Sequence, residues 1–286
     1  MAQRPGPAHT FGTGRRVFIR DDPKEPGGFP LVPLESAAMT PLEIVDATAK
    51  PILEIGRAWM LAPATAERAT EVGLELPFGF WVNGRAGVLG DAGPDVAAAA
   101  IGFMYPPLVH HYWNARPASL SASAAARAYA EASAAWGREA LAAVPQADLE
   151  EVTALARQVA DAAQPSVGAL FAGWRALEAP ADPAGAATVT LNVLREMRGG
   201  AHISAAHASG LGPLGAIIAA PDQVRGGTAG AERFGWPQPW PASDESRRAE
   251  AERMTSLICA PAYAALDETS GPRFVELVTA IRAALA

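Results

Sequence analysis

The stretch Phe80-Trp81-Val82-Asn83-Gly84-Arg85-Ala86-Gly87-Val88-Leu89-Gly90-Asp91 decides how the chain is read, and an alanine-rich run carries it on to Met104-Tyr105-Pro106-Pro107. It joins an aromatic cluster to an arginine set between glycines. Gly84, Gly87 and Gly90 recur at every third position. This is not a dinucleotide fingerprint, because no strand-like run precedes it and no acidic residue follows at the required place. Phe78, Phe80 and Trp81 read first as core packing, since aromatic side chains dominate core burial. Arg85 is different. An arginine among apolar helices is costly unless it meets a carboxylate, a carbonyl end or a ligand. Asp91 and Asp95 are its nearest candidate partners in sequence. Tyr105, Tyr112, Trp113 and Asn114 follow closely enough to line a shared cavity.

Working back from this stretch, Thr40-Pro41-Leu42-Glu43 predicts a capped helix start. The helix runs through Ile44, Val45, Ile52, Ile55 and Trp59, and Pro51 predicts a kink or a break near Lys50. A further helix spans Thr65 to Val72 and stops at Gly73. Residues 1–36 are rich in Pro, Gly, Arg and Asp, which predicts a flexible arm holding a solvated His9. Val17-Phe18-Ile19 within it reads as a short edge strand.

Working forward, helices are predicted over Val96–Met104, Leu108–Trp113, Ser119–Val144, Asp148–Ala163 and Val167–Leu177. Ala184–Arg198 follows, with Val189, Val193 and Met197 on one face. Gly199-Gly200 predicts an interruption before Ala201–Ser209. Pro213–Ala220 is a short helix and Gln223–Ala231 a Gly-rich loop. Phe234-Gly235-Trp236-Pro237-Gln238-Pro239-Trp240-Pro241 is extended by its prolines and reads as a strap over the helices. Asp244–Tyr263 and Arg273–Leu285 close the chain. The fold class expected is mainly α, as two helix-turn-helix-like helical halves packed together with at most a short β-hairpin. The halves span residues 37–144 and 145–286.

Half of the 286 residues are apolar and 19% are charged, the composition of a globular protein with a sizeable core. The net charge of -7 gives no support to a nucleic-acid partner. Cys259 is the single cysteine, so a disulfide framework and a cysteine-rich zinc site are excluded. No uninterrupted apolar run marks a secretory leader or a membrane span, and a cytoplasmic location is expected.

In order along the chain, several stretches resemble a largely uncharacterised family of actinobacterial helix-turn-helix proteins, described as winged-helix and loosely MarR-like. They are the helix around Pro51, Phe80 to Asp91, Phe103 to Val109, Leu194-Arg195-Glu196 with Arg198 to Leu211, Phe234-Gly235-Trp236, and Leu257 to Leu266. The resemblance runs from about residue 40 to the end. It implies a mostly helical fold and no established activity. Two departures stand out. The family's winged segment after the Gly-Trp motif has no counterpart among the charged helix formers between Trp240 and Leu257. The family's histidine after the proline in the first helix is replaced by Leu53.

The polar candidates are few. His202 follows the glycine pair and matches a family histidine. A neutral imidazole there suits acid–base work near pH 7. His202 and His207 point about 140° apart on one helix, and His110 and His111 about 100° apart, so neither pair holds one metal. No metal site is expected, and the sequence names no cofactor. Arg195, Glu196 and Arg198 read as a helix-surface pair of little energetic weight. No nucleophile elbow or phosphate loop is present. The reading is a small-molecule-binding protein on a helix-turn-helix-derived scaffold with reduced or lost DNA binding. Its pocket is lined by Phe80, Trp81, Arg85, Tyr105, His111 and His202. A DNA-binding regulator using a stripe of Arg127, Arg138 and Arg157 is the second reading. A biosynthetic enzyme is the third, with His202 or His111 as acid or base and Arg85 as anion clamp. A homodimer is expected from the apolar fraction, and no membrane partner is expected.

Overall fold

The computed structural model describes residues 38–220 and 226–285. The arm over 1–36, with His9 and Val17 to Ile19, lies outside the described residues. Thirteen α-helices and no β-strand occur among the described residues.

Helix α1 (Pro41–Met60) starts on a capping box. Thr40 Oγ1 accepts from the Glu43 amide at 3.3 Å, and Glu43 Oε2 accepts from the Thr40 amide at 2.7 Å. The helix does not break at Pro51, because Ile44, Val45, Ile52, Ile55 and Trp59 bury one continuous stripe on both sides of it. Helix α2 (Pro63–Glu71) follows, and Gly73 turns the chain at φ 71°.

The Phe80–Asp91 stretch forms α3 (Gly79–Ala86), a 3-10 turn (Gly87–Leu89) and a loop. Its glycine spacing is a packing device. Any side chain at Gly84 collides with the Tyr129 ring on α6 (Ala122–Ala140), and one at Gly87 collides with the Ala122 carbonyl. These two glycines let α3 and its turn lie directly on α6. Gly90 instead reverses the chain at φ 67°. Helix α4 (Pro94–Ile101) ends at Gly102, earlier than the Met104 end expected. Gly102 takes φ 80° and leaves room for Ile203, whose Cδ1 lies 2.5 Å from where a Cβ would stand. Pro106 and Pro107 open α5 (Pro106–Asn114) rather than standing before it, since a first-turn proline sacrifices no helical hydrogen bond.

Helices α7 (Gln146–Ala162) and α8 (Ala169–Arg175) lead to α9 (Pro183–Ala208), which is roughly 39 Å long at 1.5 Å per residue. Every residue from Gly185 to Leu194 is buried, so α9 is covered on all sides. It packs on α1, α6, α7 and α8, and on α10 (Gly212–Ile218) and α12 (Glu245–Tyr263). Elements on both sides of the 144/145 division therefore share this one helix.

The interruption predicted at Gly199-Gly200 does not occur. A Cβ on Gly200 would stand 2.5 Å from the Val167 carbonyl and 2.8 Å from Gly168 Cα. Gly200 is there so that the Pro165–Val167 turn can touch the helix backbone. Part of the expected Gly-rich loop is also helical, as α11 (Gly227–Arg233). The strap after it docks as expected. Trp236 Nε1 donates to the Phe103 carbonyl at 2.9 Å, and the Tyr105 amide donates to the Phe234 carbonyl at 2.9 Å. Helix α13 (Ser270–Ala283) packs on α1 and α7.

Candidate functional site

A cavity of about 1240 Å³ opens between α1, the α3–α4 region, α9 and α12. Its wall includes Ile52, Trp81, Met104, Leu194 and Ile203, an apolar lining carried by α1, α3, α9 and the bend before Pro106.

Arg85 reaches this wall from the last turn of α3. Two anchors fix that helix. Buried Asn83 donates to the Tyr112 carbonyl of α5 at 2.8 Å and accepts from Arg116 at 3.0 Å. The Trp174 indole of α8 donates to the Arg85 carbonyl at 3.1 Å. The guanidinium then grips Glu196 of α9 with two bonds, Nε to Oε1 at 2.9 Å and Nη2 to Oε2 at 2.7 Å. Its other face lies over the Trp81 ring, 4.5 Å from the centroid. The partner is thus neither Asp91 nor Asp95.

Glu196 is 1% exposed, which corrects the helix-surface reading of Arg195 and Glu196. It also accepts from Arg195 Nη1 at 2.8 Å. Burial would raise the Glu196 pKa, but the two arginines outweigh it and hold the carboxyl below its ordinary range. Arg195 goes the other way. Burial and the like charges of Arg85 and Arg57 outweigh its bond to Glu196 and lower its pKa. Arg195 threads over Gly56 of α1, where a Cβ would stand 2.5 Å from its Cδ.

A second triad lies farther along α9. Glu252 of α12 accepts from Arg198 Nη2 and from Arg248 Nη2, each at 2.6 Å. His202 stands beside it, with Nε2 4.0 Å from Glu252 Oε1. Its Nδ1 is 2.9 Å from Thr255 Oγ1. Thr255 gives its one hydroxyl proton to the Ala251 carbonyl at 2.6 Å. The imidazole must therefore donate from Nδ1, which leaves Nε2 as the acceptor. Burial, aided by Arg248 and Arg198 and opposed by Glu252, lowers the His202 pKa to about 4.

Of the six residues read as pocket-lining, Trp81, Arg85 and His202 meet at the cavity. The other three stand elsewhere. Phe80 is buried against Tyr129, with ring centroids 4.9 Å apart. Tyr105 packs on Trp236 of the strap, with ring centroids 5.4 Å apart. His111 is exposed on α5, with Nε2 3.6 Å from Glu75. Cys259 lines the cavity too, but burial pushes its thiol up to about 11, so it stays protonated at neutral pH. Among the described residues no group of three or more His, Cys, Asp or Glu side chains is placed to hold a metal ion. No helix there is long and apolar enough to cross a membrane.

The sequence profile of a helix-turn-helix family matches residues 46–286. The chain belongs to that family. No curated protein and no solved structure matches this helix-turn-helix chain. The matched region takes in both triads, His202 and Trp81.

Sequence reasoning missed Glu196, Arg195 and Glu252 as cavity residues. One signal for Glu196 was available. It stands three residues after Val193 and seven after Val189, on the apolar face of the predicted helix. Glu252 had no such signal, because its neighbours on α12 are charged helix formers.

Proposed function

We propose that this helix-turn-helix protein binds a small molecule in the cavity between α1, α3, α9 and α12, with DNA contact reduced or lost. The observation that carries this reading is the cavity itself. At about 1240 Å³ it exceeds the ~300–1,000 Å³ usual for drug-sized ligands, and it is apolar with a few placed polar groups. Trp81, Arg85 and His202 contact the ligand. Phe80 and Tyr105 act behind them, Phe80 by bracing Tyr129 beneath α3 and Tyr105 by holding the strap.

Native mass spectrometry of freshly purified protein, with an absorption spectrum, tests this directly. A co-purifying small molecule is expected, and it is lost in Ala100→Trp, which fills the cavity from α4. Wild-type protein that carries nothing and gains no thermal stability from any of a broad metabolite panel would sink the reading.

Family membership favours a second reading, a DNA-binding regulator. The arginine stripe offers it little. Arg138 is committed to Glu131 and to Asp182, the latter at 2.9 Å. Arg157 shares a surface hollow with Glu150 and Asp161. The lack of any strand after the strap among the described residues fits loss of the wing. Salt-dependent anisotropy with random duplex DNA separates the two readings. A steep salt slope with sub-micromolar binding favours the regulator.

A further inference from the structure

The charge arrangement on the cavity wall says more than that something binds there. The chain as a whole carries -7. The deepest charged group on the wall nevertheless sets Arg85 and Arg195 around the single carboxylate of Glu196. Their side chains are 8%, 12% and 1% exposed. Glu196 receives three hydrogen bonds from the two guanidiniums, so its own needs are met. One positive charge is left over in a place with little water. The groups that act electrostatically on Arg195 are Glu196, Arg85, Tyr129 and Arg57, and among them Glu196 is the one carboxylate. Arg195 uses one of its five N–H donors on Glu196, and its buried Nε has no hydrogen-bond partner. The second triad repeats the imbalance, with Arg198 and Arg248 sharing Glu252 and Arg198 Nη1 buried without a partner.

Burying an uncompensated cation costs several kcal/mol, roughly, unless something neutralises it. Both excess charges face one apolar space. The same space is lined by the apolar side chains of Ile52, Trp81, Met104 and Ile203. We infer that the cavity takes an amphipathic organic anion, with a carboxylate or phosphate head on Arg195 beside Arg198 and an apolar body against Trp81 and Ile52. This rests on the small-molecule reading and adds the chemistry of the ligand. A planar guanidinium with free donors is suited to either head, because both present paired oxygens to its fork.

Decanoate, decyl phosphate and decanol provide the test, titrated by calorimetry into the full chain below their micelle concentrations. Both anions are expected to bind at least tenfold more tightly than the alcohol, and the tighter anion identifies the head group. Arg195→Met is expected to bring the anions down to the affinity of decanol while leaving decanol itself unchanged. Should Arg195→Met fold poorly, Gly56→Ala serves instead, because its Cβ displaces the Arg195 side chain without removing the charge; the same loss of anion preference is expected. Equal binding of all three, or an anion preference that survives both variants, overturns the inference and leaves the cavity reading standing. If none of the three binds, and the anionic dye 1-anilinonaphthalene-8-sulfonate shows no binding sensitive to Ala100→Trp, the inference and the cavity reading fall together.

Discussion

Glu196 holds two guanidiniums apart in a nearly dry site, so neutralising it leaves like charges facing each other. Glu196→Gln is expected to destabilise the protein by about 3–5 kcal/mol, the usual result of removing one partner from a buried ion pair. Urea denaturation at pH 7 measures it, and a loss under 1 kcal/mol would mean that the arginines have another counter-charge. Acid should act through the same group. The folded carboxyl is held below its ordinary value of 4.5, so the unfolded chain takes the proton first. This contribution is complete above about pH 4.5 and disappears as the pH falls through the folded value. His202 adds a separate window. Its folded pKa of about 4 lies below the ordinary 6.5, so between those values the unfolded chain again holds more protons. Stability should fall on acidification from pH 6.5 to 4, by on the order of 3 kcal/mol. His202→Gln should flatten that part of the profile. The imidazole nitrogen shifts at pH 7 should also report a neutral ring protonated on Nδ1. At this scale the sequence was half legible. It singled out Arg85 and His202 by type and neighbourhood. It did not reveal the Arg85 partner, which lies 111 residues away and follows no local spacing.

Helix ends were easier to read than helix interiors. Thr40, read in the sequence as a cap, accepts the amide three residues on, whereas Ser121 and Asp182 do the same for α6 and α9 without having been read as caps. Gly199-Gly200 was misread because a glycine pair has two uses, as a helix stop or as a close-contact surface. Sequence alone cannot tell which surface will arrive. The two glycines now make opposite predictions. A Cβ on Gly199 meets nothing closer than Glu196 Oε2 at 4.0 Å. Gly199→Ala should therefore be neutral or stabilising by up to ~1 kcal/mol from helix propensity. Gly200→Ala pushes the 165–168 turn away from α9 and should cost about 1–3 kcal/mol. Thermal melts of the two variants side by side decide the matter. Equal destabilisation would point to a hinge at the pair after all.

The helical class was legible across the whole described chain, since proline and glycine punctuation divides it into segments of helical length and no alternating pattern competes. The way the segments close on α9 was not, because periodicity gives a helix's faces but not its neighbours. That closure has a cooperative consequence. Helices α1 and α6 bury part of their surface on α9, while α7, α8 and α12 bury theirs on the same rod. A fragment of residues 38–144 should show little helical circular dichroism and no cooperative melt. The intact chain should unfold in one transition seen equally by far-ultraviolet dichroism and by aromatic absorption. Two separated transitions would mean that the halves are independently stable.

The packing of Trp81 has an optical consequence. The chain has seven tryptophans, and Trp81 is the one on the cavity wall, with the Arg85 guanidinium over its ring and the Phe234 ring stacked near it. A cation over an indole alters the energy of its excited state, so an occupant that draws on the positive charge nearby should shift this residue's emission. Subtracting the spectrum of Trp81→Phe from that of the wild type would isolate that signal. On the proposed reading, Trp81 would serve as a label-free gauge of occupancy, usable before any ligand has been identified.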